Sequence, residues 1–119
     1  MRRIATLQDI SAGLDALCAL DPRLVRVRSL AGEVPLRLSE PGFGSLASII
    51  VAQQVSRASA DAIFGRLVSL VDPLTPQAVL GAGDEVFRAA GLSRPKVRAL
   101  AGAARAVADG LDLHRLCLL

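Results

Sequence analysis

Two consecutive amides, Gln53 and Gln54, stand at the exit of the most apolar segment of this 119-residue chain, Phe43 to Ala52, and Ser56 follows two residues later. A Gln side chain carries two donors and an acceptor, so at such a junction it must find hydrogen-bond partners or emerge where its polar groups are used. Two readings follow: the amides satisfy loose backbone groups at a helix break, or one of them projects from a rigid platform toward a base or a gap in a duplex. The second group with chemical potential is cationic. From Arg88 to Arg115 there are six basic residues (Arg88, Arg94, Lys96, Arg98, Arg105, Arg115) against two acids, Asp109 and Asp112. A local basic excess is what a phosphate-binding surface needs, and solvated helix faces of Arg-rich proteins give the same count.

Other chemistries find little material. The one His, His114, has no thiolate or carboxylate cluster around it at ligand spacing and reads as a surface residue, so no metal is expected. Cys18 and Cys117 fit no C-x-x-C pattern and read as buried free thiols. Gly81 and Gly83 form neither a dinucleotide fingerprint nor a P-loop, so no nucleotide cofactor is expected. The acids are scattered: Glu33 and Glu40 lie in an irregular stretch, and Asp84 and Glu85 sit at a helix start, where the dipole favours them. None is assigned a catalytic role.

The elements that position these residues read as helices. Thr6 with Asp9 opens an apolar pattern (Leu7, Ile10, Leu14, Leu17) that runs to about Leu20. Asp21 caps a short helix through about Val27, with Pro22 at its first position. Residues 29–42, with Gly32, Pro35, Pro41 and Gly42, form an irregular linking arm whose Val34 to Leu38 segment could be extended. Phe43 to Ala52 is apolar on nearly every face and predicts a core helix buried all round. Ser56 caps a helix to about Val71 that Asp72-Pro73 stops, and Thr75-Pro76 starts another to about Leu80. Asp84 starts a helix ending at Gly91, a natural left-handed cap. Ser93 with Pro95 opens a longer helix closed by Gly110, and Asp112 caps a last segment, Leu113 to Leu119, whose bare apolar end either docks into the core or meets the rest of a larger domain. Phe43, Phe64 and Phe87 read as core.

The predicted fold is therefore all-α, a compact array of about seven or eight helices. Composition agrees: Ala and Leu supply 20 residues each, aromatics only 3%, and strand-favouring residues are scarce. Charged residues are 21%, the formal net charge is +3, and mean hydropathy is +0.47, which argues against disorder and for some exposed apolar surface. Unbroken apolar runs such as Ile49 to Ala52 are far short of a membrane span, and Asp9 and Asp15 interrupt any signal-peptide core, so the chain reads as cytoplasmic.

The string Ile49-Ile-Val-Ala-Gln-Gln-Val-Ser56, followed by Ala58, Ala60, Ala62-Ile63 and Arg66-Leu67, resembles the signature helix pair of the helix-hairpin-helix DNA glycosylases, closest to the DNA-3-methyladenine glycosylase II branch. Leu20-Asp-Pro-Arg-Leu24 resembles that family's opening helix and Leu74 to Leu80 its next short helix. Phe87 to Leu100 resembles the stretch leading into the next long helix, and Ala106 to Leu113 the stretch after it. The resemblance covers about residues 15–119. It implies a base-excision-repair enzyme that flips an alkylated purine out of double-stranded DNA and hydrolyses its N-glycosidic bond. It implies that Gln54 fills the gap in the duplex, with Gln53 and Ser56 supporting the turn, and that Lys96, Arg98, Arg94 and Ser93 contact phosphate. It also implies that the Gly-rich hairpin and the catalytic Asp lie beyond Leu119. Residues 1–119 are then a single, incomplete glycosylase-like domain, inactive alone and weak in DNA binding. The competing expectations are a non-enzymatic helical module pairing with itself or a companion chain through exposed apolar faces, and a DNA-binding module without catalysis.

Overall fold

The computed structural model describes residues 2–118, and for Cys117 its backbone alone. Among these the fold is all-α: α1 (Leu7–Leu20), α2 (Arg23–Ala31), α3 (Phe43–Ala52), α4 (Arg57–Leu70), α5 (Pro76–Gly81), α6 (Asp84–Ala90) and α7 (Arg94–Ala108), then a single 3-10 turn, Leu116–Leu118. The chain divides into two compact units, one up to Ser39 and one from Glu40 onward.

In the first unit α1 packs on α2. Its start is set by a reciprocal capping box: the Asp9 N–H donates to the Thr6 hydroxyl oxygen at 3.2 Å, and the Asp9 carboxylate accepts the Thr6 N–H at 2.9 Å. The Ala5 N–H, with the Thr6 hydroxyl and N–H, holds the Asp9 carboxyl below the usual carboxylate range, so the charge stays at the positive end of the helix dipole. Asp21 plays a different part from a simple cap. It accepts the Arg23 N–H at 3.0 Å and grips the Arg23 guanidinium, which lowers the Asp21 pKa, while Pro22 occupies the cap position of α2. Neither helix buries a residue, and Leu20 and Leu30 are 83% and 77% exposed. Cys18 is free but only partly buried, beside Arg28, which is ion-paired to Asp15; the Cys117 thiol lies outside the described residues. Helix α2 continues to Ala31, beyond the expected Val27, because nothing in Arg28-Ser-Leu-Ala31 breaks a helix and Gly32, at φ 72°, does. The irregular arm therefore begins at Gly32, and Val34 to Leu38 pairs with no strand among the described residues.

The second unit holds the core. Helix α7 packs on α5 and α3, and α4 packs on α3 and α6. Leu67 of α4, Leu100 of α7 and Val51 of α3 are its largest fully buried side chains, with Ala47 and Ala104 also at 0% exposure. Phe43 and Phe87 are buried and Phe64 is packed against the same cluster, as their spacing predicts. Helix α3 departs from expectation. It buries Phe43, Ala47 and Val51, four residues apart on one stripe, while Ile49 is 54% exposed and Ala52 is exposed. A segment apolar on nearly every face hides which face is inward, and here a single face suffices. The caps behave locally: Ser56 and Thr75 accept the N–H groups of Ser59 and Ala78 at 3.1 Å each, and α6 ends on left-handed Gly91, φ 92°. The last segment is shorter than a helix from Leu113. Asp112 does accept the His114 N–H at 3.0 Å, but only one 3-10 turn follows, and Leu116 and Leu118 are exposed where docking was one alternative.

Candidate nucleic-acid interface

Helix α3 must stop where its buried stripe ends, and the way it stops decides where the two amides stand. The Gln53 N–H donates to the Ile50 carbonyl at 3.3 Å and its side-chain amide reaches back to the Ile49 carbonyl at 3.4 Å, so Gln53 closes the last turn of α3. Gln54 then adopts φ 57°, the only positive φ of a non-glycine residue among those described. For an L-residue this left-handed conformation costs roughly 1 kcal/mol, which Gly would avoid. Gln54 is exposed, and its amide has no hydrogen-bond partner among the described residues. Ser56 lies back in the chain's own structure, capping α4 and donating its hydroxyl to Ser59 Oγ at 2.9 Å.

Two long side chains brace the turn and the segment facing it. Lys96, in the first turns of α7, extends its ammonium to the Val51 carbonyl at 2.7 Å, a bond spanning 45 residues of sequence. The final carbonyls of a helix have no partner within the helix, and a charge-assisted bond here fixes the end of α3 against α7. Arg66 of α4 does the corresponding work at the end of α6: its Nε donates to the Ala90 carbonyl at 3.0 Å. The next residue, Gly91, passes so close that a Cβ there would sit 3.1 Å from an Arg66 guanidinium nitrogen. Both ends of the α6 to α7 connection are thus tied to α3 and α4.

Between them lies an open concavity of about 450 Å³, with Gln53, Gln54 and Val55 on one side and Ser93, Pro95 and Lys96 on the other. The structure therefore brings Gln53, Gln54, Ser93 and Lys96 to one surface. Ser56 does not line it, and Arg94 and Arg98 line a neighbouring concavity instead. Ser93 stands at the cap position of α7 without a capping side-chain bond. No carboxylate is among the lining residues of the Gln54 concavity, and no three His, Cys, Asp or Glu side chains gather as a metal site among the described residues. His114 is exposed near Gly42. Among the described residues no helix is long and apolar enough to cross a membrane. Sequence reading missed the work of Arg66 and the carbonyl partner of Lys96, since both are distant in sequence. The left-handed Gln54 was also missed, because only Gly or Asn would have signalled it.

The residues from Ala47 to Leu116, which contain the turn, both braces and both concavities, match the family model described as HhH-GPD superfamily base excision DNA repair protein. The chain belongs to the HhH-GPD superfamily. A solved structure, the DNA-3-methyladenine glycosidase from Bacillus halodurans, is 37% identical with a TM-score of 0.68. The match covers 83% of this HhH-GPD chain and 47% of that one, so the chain spans about half the length of that solved relative. Curated protein sequences give no match. With the family established, the strained turn and its braces fall inside the part of the chain that the superfamily defines.

Proposed function

We propose that these residues form the duplex-opening part of an alkylpurine DNA glycosylase. The observation that carries it is Gln54: an unpartnered amide held at a strained, exposed helix break, braced from α7 by Lys96. Strain of this kind persists where the surrounding structure over-determines it, and it concentrates at functional sites. Flipping a base costs a few kcal/mol and is cheapest at damaged or mismatched pairs. A side chain that occupies the vacated space offsets part of that cost, and a planar amide can both stack and hydrogen-bond to the orphaned base. Gln53 closes the turn from behind, and Ser56 fixes where α4 begins. Ser93, Arg94 and Arg98 face the DNA backbone and bind its phosphates; Lys96 serves first through the Val51 carbonyl and has donors left for phosphate.

Cleavage of the glycosidic bond needs a carboxylate near the sugar, and none lines the Gln54 concavity. On this reading the 119 residues bind duplex DNA weakly and release no alkylated purine. The test is base release from methylated duplex DNA, run beside duplex binding across a salt series. Binding that weakens with salt, without base release, supports the reading. Base release that survives replacement of each acid in turn overturns it. A second reading, a non-enzymatic module pairing with a copy or a companion chain, is favoured by the exposure of Leu20, Leu30 and Leu118. Sedimentation showing a monomer that binds duplex DNA would exclude the self-pairing form.

A further inference from the structure

Arg88, at the end of α6, and Arg94 and Arg98, one turn apart at the start of α7, line a second concavity of about 580 Å³. The ion pairs among the described residues involve Arg2, Arg23, Arg28 and Arg57, so these three guanidinium groups have no carboxylate partner there. Asp84 shares the wall without pairing with any of them, which leaves two positive charges in excess. The arrangement is costly for the protein alone. Like charges at i and i+4 repel, and cations in the first turns of a helix oppose its dipole; the first turn of α7 carries no acid to compensate. An anion removes both penalties.

The rest of the wall narrows the kind of anion. Leu92 and Val97 are its apolar members, and no aromatic side chain is present to stack a base. The concavity therefore suits phosphate and not a nucleobase. Residues alternate along one segment between the two surfaces: Ser93, Pro95 and Lys96 face the Gln54 concavity, while Arg94, Val97 and Arg98 face this one. A strand crossing the first continues onto the second. Side chains four apart on a helix stand about 5–6 Å apart at Cβ, and two long guanidinium side chains rooted that far apart can each take a separate phosphate of one strand. The geometry points to a backbone clamp for two consecutive phosphodiesters of duplex DNA, with Arg88 as its third member. The clamp rests on the DNA reading above and adds a residue and a separate surface to it.

The experiment measures binding of the 119-residue chain to a fluorescently labelled 20-base-pair duplex by anisotropy from 50 to 200 mM salt. Each phosphate that the protein no longer neutralises makes the logarithmic salt slope shallower by about 0.9. Arg88→Ala and Arg88→Gln are each expected to leave one phosphate unneutralised, so that affinity drops roughly 3.5-fold less across this salt range than it does for the parent. Arg105→Ala, an exposed position on α7 outside both concavities, leaves the slope unchanged. Helical circular dichroism confirms that each variant is folded. A parent slope with no change in either Arg88 variant overturns the clamp and leaves the DNA reading standing, whereas a parent that does not bind duplex at 50 mM salt overturns both. A titration with inorganic phosphate alone separates the source of the anion. If phosphate shifts the Arg88 guanidinium NMR signals while the duplex slope ignores Arg88, the site takes a free anion and the duplex assignment falls.

Discussion

Leu100→Ala lowers the stability of the second unit by about 3 kcal/mol, as truncation of a fully buried leucine does. Leu100 has no exposed surface and belongs to the same buried cluster as Val51, Ala47 and Ala104, on a helix that packs against α3 and α5. Truncation removes three carbons from a close-packed cluster, and the penalty combines the lost transfer energy with whatever cavity the surrounding side chains leave unfilled. Urea denaturation followed by helical circular dichroism reads this as a lower midpoint at unchanged slope. Leu20→Ala, at a position 83% exposed, is the control and stays within about 0.5 kcal/mol of the parent. Because Leu100 belongs to the core cluster that α3 and α7 share, its loss also loosens the platform beneath Gln54, and duplex affinity falls with stability.

Lys96→Met is expected to cost about 2 kcal/mol. Methionine keeps most of the apolar stem of lysine but cannot donate, so the Val51 carbonyl loses its 2.7 Å charge-assisted bond at the end of a buried stripe. Leaving such a group unsatisfied costs more than the bond is worth on balance. Lys96→Gln, which retains a donor, recovers part of the loss, and that ordering separates the hydrogen bond from side-chain packing. In a chain of this length the Met variant melts roughly 8 °C below the parent. The same variant lowers duplex affinity by more than the removal of a single phosphate-binding cation would, since the end of α3 is freed along with the charge.

What the sequence disclosed and what it withheld divide by distance along the chain. The Thr6–Asp9 box, the Ser56 and Thr75 caps and the Gly91 stop each depend on residues within a few positions of one another, and each stands as its spacing predicts. The seven helices follow from those signals and from apolar periodicity. Helix α3 shows where periodicity fails: in Phe43 to Ala52 almost every residue is apolar, so nothing marks Ile49 as outward-facing. The site was legible as a pair of amides at a helix exit and a basic stretch. Its mechanical logic was not, because the Lys96 and Arg66 bonds close loops of 45 and 24 residues. The left-handed Gln54 was hidden for a different reason. Residue type signals positive φ only when the chain takes the cheaper solution, and a position that needs a functional side chain does not take it.

That position offers the most direct test. Gln54→Gly relieves the backbone strain and is expected to be at least as stable as the parent while lacking any side chain to enter a duplex. The decisive measurement is the fluorescence of 2-aminopurine placed in a duplex, which brightens on unstacking, at saturating protein. A rise is expected with the parent chain and none with Gln54→Gly at equal occupancy. An equal rise with both would contradict the assignment of Gln54 as the residue that holds the duplex open.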